Sequence, residues 1–318
     1  MPQTIAQVRR DDKFEGLLLV RSSEQKRNAS GKYYLVLNLA DCSGSVTAMV
    51  WDGTIQPPPA GSVIQVNATG NEFNGRMQLR VNTFRVVPQA DLSPEDMARL
   101  IPCAPWPPEK MRAAVQRAAE EIADPDLRKI TCRLLERAGE RLLTFPAAKQ
   151  MHHAERSGLL HHTLTMLRAA RGLLPVYPQL NASLLIAGVI VHDLSKLDEM
   201  DADGYGSVTD YTLDGKLLGH LVRGVVSIQE AARETGADPK KALLLQHMEI
   251  SHHGMKEYGS PLEPMFPEAE VLSQLDRLDA RLFQMQEAIG RTSPGAFSEK
   301  VYGLDNRQIY RIPEDQLL

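Results

Sequence analysis

Between residues 13 and 88 the apolar side chains come in short runs with a two-residue alternation, and turn formers punctuate them. The segments 14–20, 33–39, 45–51, 62–68 and 77–87 are rich in β-branched, leucine and aromatic residues. NASG at 28–31, DCSG at 41–44 and NG at 74–75 stand between them. This pattern predicts five strands. Six prolines between Pro88 and Pro108 then break it and predict a semi-rigid linker over 91–108. Beyond the linker the apolar spacing lengthens to three and four residues, which predicts helices over 109–123, 126–143, 159–174, 184–197, 217–235, 239–252 and 268–289. Residues 291–318 follow no period.

Five short strands in so few residues suit a small barrel of the OB type, and an SH3-like barrel fits nearly as well. The expected fold class is therefore multidomain. An N-terminal all-β OB-like barrel at 1–90 and the linker at 91–108 precede an all-α domain at 109–290 and a tail at 291–318. A length of 318 residues with 43% hydrophobic and 24% charged residues agrees with two soluble domains. No apolar run reaches the ~20 residues that span a bilayer, and the first residues hold no apolar signal core, so a cytoplasmic protein with no membrane partner is expected. Cys42, Cys103 and Cys132 are far apart and form no CxxC pair, which suggests buried thiols in a reducing compartment. Net charge is −4, yet residues 1–90 hold ten Lys/Arg against seven Asp/Glu, whereas the remainder holds 26 against 33. A mildly basic front end can follow phosphates, and an acidic remainder can gather cations.

Histidine carries the chemical signal. All nine histidines lie between positions 152 and 253. The apolar stretch LLIAGVIV at 184–191 runs directly into His192-Asp193, with Lys196 four residues after His192. Ionisable groups at the end of a buried helix are costly unless they are paired or liganded. Imidazole with a carboxylate able to bridge suits a Mn, Fe, Zn or Mg site. His162 lies thirty residues earlier, and Asp276 and Asp279 form a DxxD pair on a late predicted helix.

The order of GLLHHT at 158–163, HDLSK at 192–196, GH at 219–220, SHHG at 251–254 and LDRLDA at 275–280 resembles the metal-binding signature of HD-domain phosphohydrolases. With YYLVLNLADCSGSVTAMVWD at 33–52 in front, the whole chain is similar to the YhaM-type 3′→5′ exoribonucleases, which join an OB-fold to an HD domain. The resemblance implies one metal held by His162, His192, Asp193 and Asp276. It implies a second held by Asp193 as a bridge with His220, His252 and His253. Two divalent ions are then the expected cofactors, Mn²⁺ favoured, with Fe²⁺, Co²⁺ or Mg²⁺ as others. The expected reaction is hydrolysis of single-stranded RNA, or DNA, from the 3′ end to 5′-mononucleotides without a covalent nucleophile. Lys196 is expected near the scissile phosphate. His152 and His153 are candidates to contact phosphate or protonate the leaving group, and a structural role is equally open to them. His161 is expected as an exposed neighbour, His247 as structural, Asp279 as an outer or surface carboxylate, and the acidic run Asp198, Glu199, Asp201 and Asp203 as a solvated loop. Gly204-Tyr205-Gly206 departs from the GYP motif of cyclic-dinucleotide phosphodiesterases, so that specificity is not implied.

Six of the 17 aromatic residues, Phe14, Tyr33, Tyr34, Trp51, Phe73 and Phe84, belong to the barrel segment. Rings stacked on bases and cations along the backbone are how OB-folds hold single strands. Tyr33, Phe73 (expected in a loop), Arg76, Arg80 and Arg85 are the candidate contacts. Two alternatives stand beside this reading. One is a phosphatase or phosphodiesterase for free nucleotides with the barrel serving homo-oligomer assembly. The other is a nucleic-acid-binding regulator with a structural metal.

Overall fold

A computed structural model describes residues 4–316 apart from 29, 53, 74–75, 102, 150–152, 203–205, 207, 291 and 314–315. The chain divides into two compact units, Met1–Cys103 and Ala104–Leu318.

In the first unit, β1 (Lys13–Arg27) pairs antiparallel with β2 (Tyr33–Asp41), and β2 with β3 (Gly44–Val50). β4 (Val63–Phe73) pairs antiparallel with the first half of β1 and with β5 (Arg76–Val87), and a parallel β3–β5 ladder closes the barrel in the order β1-β2-β3-β5-β4. β1 serves two neighbours because its register shifts between Val20 and Ser22, a local irregularity that bends the strand. Alternation fills the interior: Leu35, Leu37 and Leu39 from β2 meet Leu18, Ala48, Ile64, Val66 and Leu79. This is the OB-like barrel expected of the N-terminal segment. Phe73, expected in a loop, lies at the end of β4 and pairs with Arg76.

The expected linker is a different matter. Within 91–108, α1 (Pro94–Leu100) packs on β1 and β2, Cys42 N–H donates to Arg99 O at 2.8 Å, and Leu100 and Ile101 are buried. Ser93 and Asp96 form a capping box around Pro94 in the first turn. Pro94 and Pro108 each start a helix, where a missing N–H costs nothing, and the first half of the segment belongs to the barrel unit. Cys103 is exposed rather than buried.

The second unit is helical: α2 (Pro108–Glu120), α3 (Pro125–Ala138), α4 (Gly158–Leu173), α5 (Ala182–Val191), α6 (Lys196–Glu199), α7 (Leu213–Leu217), α8 (Gly219–Thr235), α9 (Pro239–Ser251) and α10 (Pro267–Gly290). A two-stranded ribbon of β6 (Met200–Ala202) and β7 (Val208–Tyr211), not anticipated from the sequence, interrupts them. Every residue of α5 from Leu184 to Val191 is buried, as an all-apolar helix demands, and α2, α3, α4, α9 and α10 pack around it. The helix expected over 184–197 therefore ends at Val191 and turns at the HD pair. In the tail, bridges Phe297–Tyr310 and Val301–Arg307 and the bond from Arg311 Nη1 to Thr292 O, 2.8 Å, fold residues 297–311 back. Among the described residues no helix is long and apolar enough to cross a membrane.

Candidate metal centre

Five elements deliver side chains to one point. α5 ends at His192, whose Nδ1–H donates to Val189 O at 2.9 Å and so leaves Nε2 facing inward. α4 brings His162, with Nε2 3.3 Å from His192 Nε2, 3.3 Å from Asp276 Oδ1 on α10 and 3.7 Å from Asp193 Oδ2. The first turn of α8 brings His220, and the end of α9 brings His252 and His253. Each remaining Nδ1 is also engaged behind the ring. His162 binds Asp279 Oδ2 at 2.7 Å, His220 binds Glu199 Oε1 at 3.0 Å, His252 donates to Glu249 O at 2.7 Å and His253 to Tyr258 O at 2.8 Å. Such partners fix ring orientation and leave the other nitrogen as the ligand atom. Ligand atoms of His162, His192 and Asp193 gather within 4.8 Å of one another, and so do those of His220, His252 and His253.

Asp193 lies between the two groups. Its Oδ2 is 3.4 Å from His192 Nε2, and its Oδ1 is 3.7 Å from both His220 Nε2 and His252 Nε2. Asp193 Oδ1, His220 Nε2 and His252 Nε2 are buried and, among the described residues, have no hydrogen-bond partner. An unsatisfied buried polar atom costs ~1–3 kcal/mol. Three converging on one gap, all with lone pairs to donate, fit a divalent cation.

The electrostatics agree. Burial alone would raise the Asp193 carboxyl, but Lys196 and His192 beside it hold it well below the usual carboxylate range. Burial, with His253 and His192 nearby, keeps His252 neutral and able to ligate. Burial would likewise depress His162, yet the hydrogen bonds and charges of Asp276 and Asp279 outweigh it and push its pKa up to about 9. Without a cation, that proton screens the carboxylates gathered here.

Other expected positions sit differently. Lys196 reaches back to Asp193 Oδ2 at 2.8 Å, with its side chain only 11% exposed, so its ammonium first neutralises the bridging carboxylate. His153 is buried, with Nε2 2.7 Å from Asp279 Oδ2 and Nδ1 3.2 Å from His161 Nδ1. Both nitrogens point into this network, which removes the geometry expected of a proton donor to the leaving group. His161 is also drawn in, bonded to Glu155 Oε1 at 2.6 Å, rather than exposed. His247 Nε2 accepts from Met265 N at 3.0 Å, a structural use. His152 and Asp203 lie outside the described residues. Glu199 was expected in a solvated loop. It instead holds His220 by both its ring and its backbone N–H, while Asp198 pairs with Arg141 at 3.0 Å. Glu155 and Glu199 carry no spacing signal; only packing against a distant histidine distinguishes them from surface acids.

On the barrel, Tyr33, Trp51 and Phe73 are exposed, and Arg80 and Arg85 also face solvent. The side chain of Arg76 is outside the described positions. Arg27 lies 4.3 Å over the Tyr33 ring and bonds its hydroxyl, and Tyr34 stacks on Trp51 with centroids 5.2 Å apart. Phe14 is core and Phe84 half-buried. Arg27 was not singled out from the sequence, and Trp51 was named there only among the barrel aromatics; the fold brings them beside the tyrosines.

Residues 159–281 match the HD domain family. The 3′-5′ exoribonuclease YhaM of Bacillus licheniformis is 37% identical over 298 residues, which is 92% of this chain and 93% of that protein. Among solved structures, the second OB-fold domain of replication protein A from Methanococcus maripaludis overlays 29% of this chain and 100% of its own, with 13% identity and a TM-score of 0.24. The barrel assignment rests on its strand order alone. With an HD domain behind a closed barrel and this identity along almost its whole length, the chain belongs to the YhaM family of HD-domain proteins.

Proposed function

We propose that this chain is a cytoplasmic, metal-dependent 3′-5′ exonuclease of single-stranded RNA that releases 5′-mononucleotides. The observation that carries the reading is the set of orphaned, convergent atoms Asp193 Oδ1, His220 Nε2 and His252 Nε2. The relative's printed activity supplies the substrate class and polarity. His162, His192, Asp193 and Asp276 would hold one divalent ion, and Asp193, His220, His252 and His253 a second, Mn²⁺ being favoured. Bound there, such ions supply Lewis-acid charge at the scissile phosphate and an acidified water. Asp279 and Glu199 orient His162 and His220, and His153 acts through Asp279 as a positioning residue. Lys196 holds Asp193 ionised and adds positive charge beside the phosphate, where negative charge develops in the transition state.

On the barrel, Tyr33, Phe73, Arg76, Arg80 and Arg85 would grip the strand, with the Tyr34–Trp51 pair as a further stacking surface. A time course on 5′-labelled and 3′-labelled single-stranded RNA, with Mn²⁺ and with chelator, tests activity, polarity and metal need together. The 5′-labelled strand should shorten progressively, the 3′ label should appear at once as mononucleotide, and chelation should stop both. Activity that survives chelation, or confined to free nucleotides, overturns the reading.

A further inference from the structure

Glu270, Gln274 and Arg277 follow at i, i+4 and i+7 along one face of α10 and line a cleft of about 240 Å³. Tyr258, Glu263 and His253 line the same cleft. The cleft is joined to the metal cluster by one sequence neighbour of Asp276, by the same stretch of α10 and by one hydrogen bond. Arg277 follows Asp276 directly, Gln274 is two residues before it, and His253 Nδ1 donates to Tyr258 O at 2.8 Å. Its volume lies below the ~300–1,000 Å³ of ordinary ligand pockets, which suits one nucleoside and not a longer segment.

The lining has a definite chemistry. Tyr258 is 51% exposed, with the Arg277 guanidinium 6.0 Å from its ring centroid. Among the described residues Arg277 has no carboxylate within ion-pair distance, although its charge helps to lower the Asp305 carboxyl. Gln274 Nε2 donates to Glu270 Oε1 at 2.9 Å, which steadies that carboxylate, and Glu263 is exposed. The cleft lining thus carries two carboxylates and one guanidinium, and the guanidinium belongs to the residue next in sequence to the metal-side aspartate. A phosphate is favoured only at the Asp276 end, and hydroxyl donors are favoured at the carboxylates.

We propose that this cleft is the subsite for the 3′-terminal nucleoside. Tyr258 stacks on the base, Arg277 binds the phosphate that joins the terminal nucleotide to the strand, and Glu263 and Glu270 accept hydrogen bonds from the 2′- and 3′-hydroxyls. The enzyme thereby requires an unphosphorylated 3′ end, because a terminal phosphate would meet two carboxylates at close range. The 2′-hydroxyl contact favours RNA over DNA at the last position. This subsite rests on the reading of the centre as a 3′-5′ exoribonuclease.

The full chain, loaded with Mn²⁺, is given matched 5′-labelled oligoribonucleotides ending in a 3′-hydroxyl or a 3′-phosphate, and is titrated calorimetrically with 5′-AMP. The wild type should remove the hydroxyl-ended nucleotide at least about 100-fold faster. Glu263→Gln with Glu270→Gln should narrow that ratio tenfold or more. Tyr258→Ala should raise KM and weaken 5′-AMP about tenfold, with Tyr258→Phe restoring both. Tyr258, Glu263 and Glu270 are all exposed, so melting curves should coincide with the wild type. Full discrimination in the double variant, together with unchanged 5′-AMP affinity in Tyr258→Ala, overturns the subsite while a wild type that shortens the strand from its 3′ end leaves the exonuclease reading standing. A wild type inert on the hydroxyl-ended strand overturns both.

Discussion

Asp193 faces Lys196 and four histidines, His162, His192, His220 and His252, with two oxygens, so its loss has two separable consequences. Asp193→Asn should lower turnover at least about 100-fold, several kcal/mol of transition-state stabilisation, and deplete bound metal by elemental analysis. It also leaves the buried Lys196 ammonium without its counter-charge, so the chelated variant should lose ~3–5 kcal/mol by denaturant titration. Near-wild-type turnover in a folded Asp193→Asn protein excludes the centre. Asp279 touches no second ligand beyond His162, and its effect should be gentler. Asp279→Asn should weaken metal ~10–100-fold, with activity recovered at high metal. His162 contributes one part of the pH dependence, beside the buried Glu249 and His252. Its folded pKa of about 9 lies above the ordinary 6.5, so its charged pairing stabilises the chelated protein fully below pH 6.5 and is lost as pH rises through about 9. That contribution is ~3 kcal/mol for this fully enclosed ring. Metal binding requires the same proton to leave, so apparent metal affinity should move the other way and tighten as pH climbs towards 9. Melting curves with chelator and with Mn²⁺ from pH 6 to 10 should diverge; parallel curves would remove His162 from the ligand set.

At the level of elements, close approach of backbone to backbone decides where the histidine-bearing helix begins. Gly158 opens α4, and a Cβ there would come 2.0 Å from His153 O and 3.0 Å from its carbonyl carbon. Backbone cannot swing aside as a flexible side chain can. Gly158→Ala should therefore cost ~1–3 kcal/mol and displace His153 from Asp279, weakening metal as well. Gly172, near the other end of the same helix, meets nothing within 4 Å, so Gly172→Ala should stabilise by ~0.4–1 kcal/mol. Thermal unfolding of the pair separates the two effects, and equal shifts would show that the 153–158 approach is not constrained. The end of α5 shows the same dependence on surroundings. Its apolar run is legible as a buried helix, but the turn at His192-Asp193 arises where ionisable groups meet ligands from α4, α8, α9 and α10.

For the whole molecule, the proposed division of labour is between a barrel with exposed rings and a helical unit with the candidate cation site. Trp51→Ala and Tyr33→Ala should each weaken binding to a long single strand by ~1–3 kcal/mol while leaving cleavage of a dinucleotide unchanged. Affinity of the wild type should fall steeply with salt as barrel cations displace counterions from phosphates. Fluorescence anisotropy with a labelled 20-mer at two salt concentrations checks both, and unchanged affinity in both variants would take the barrel out of substrate binding.

The alternation of Leu35, Leu37 and Leu39 with polar neighbours, the all-apolar stretch before His192 and the order of the histidines sufficed for a barrel, a helical domain and a metal-binding signature. Those features are local: period and burial follow from which face of one element must leave water. What the tertiary structure decided is non-local. It drew Pro94–Leu100 into the barrel unit, turned Lys196 onto Asp193, and buried His153 behind His162. It also separated Glu199 and Asp279 from chemically identical surface acids. A carboxylate or an ammonium has no fixed role in a linear chain. Its role is set by the partner that packing brings within about 3 Å, and that partner here lies up to 126 residues away.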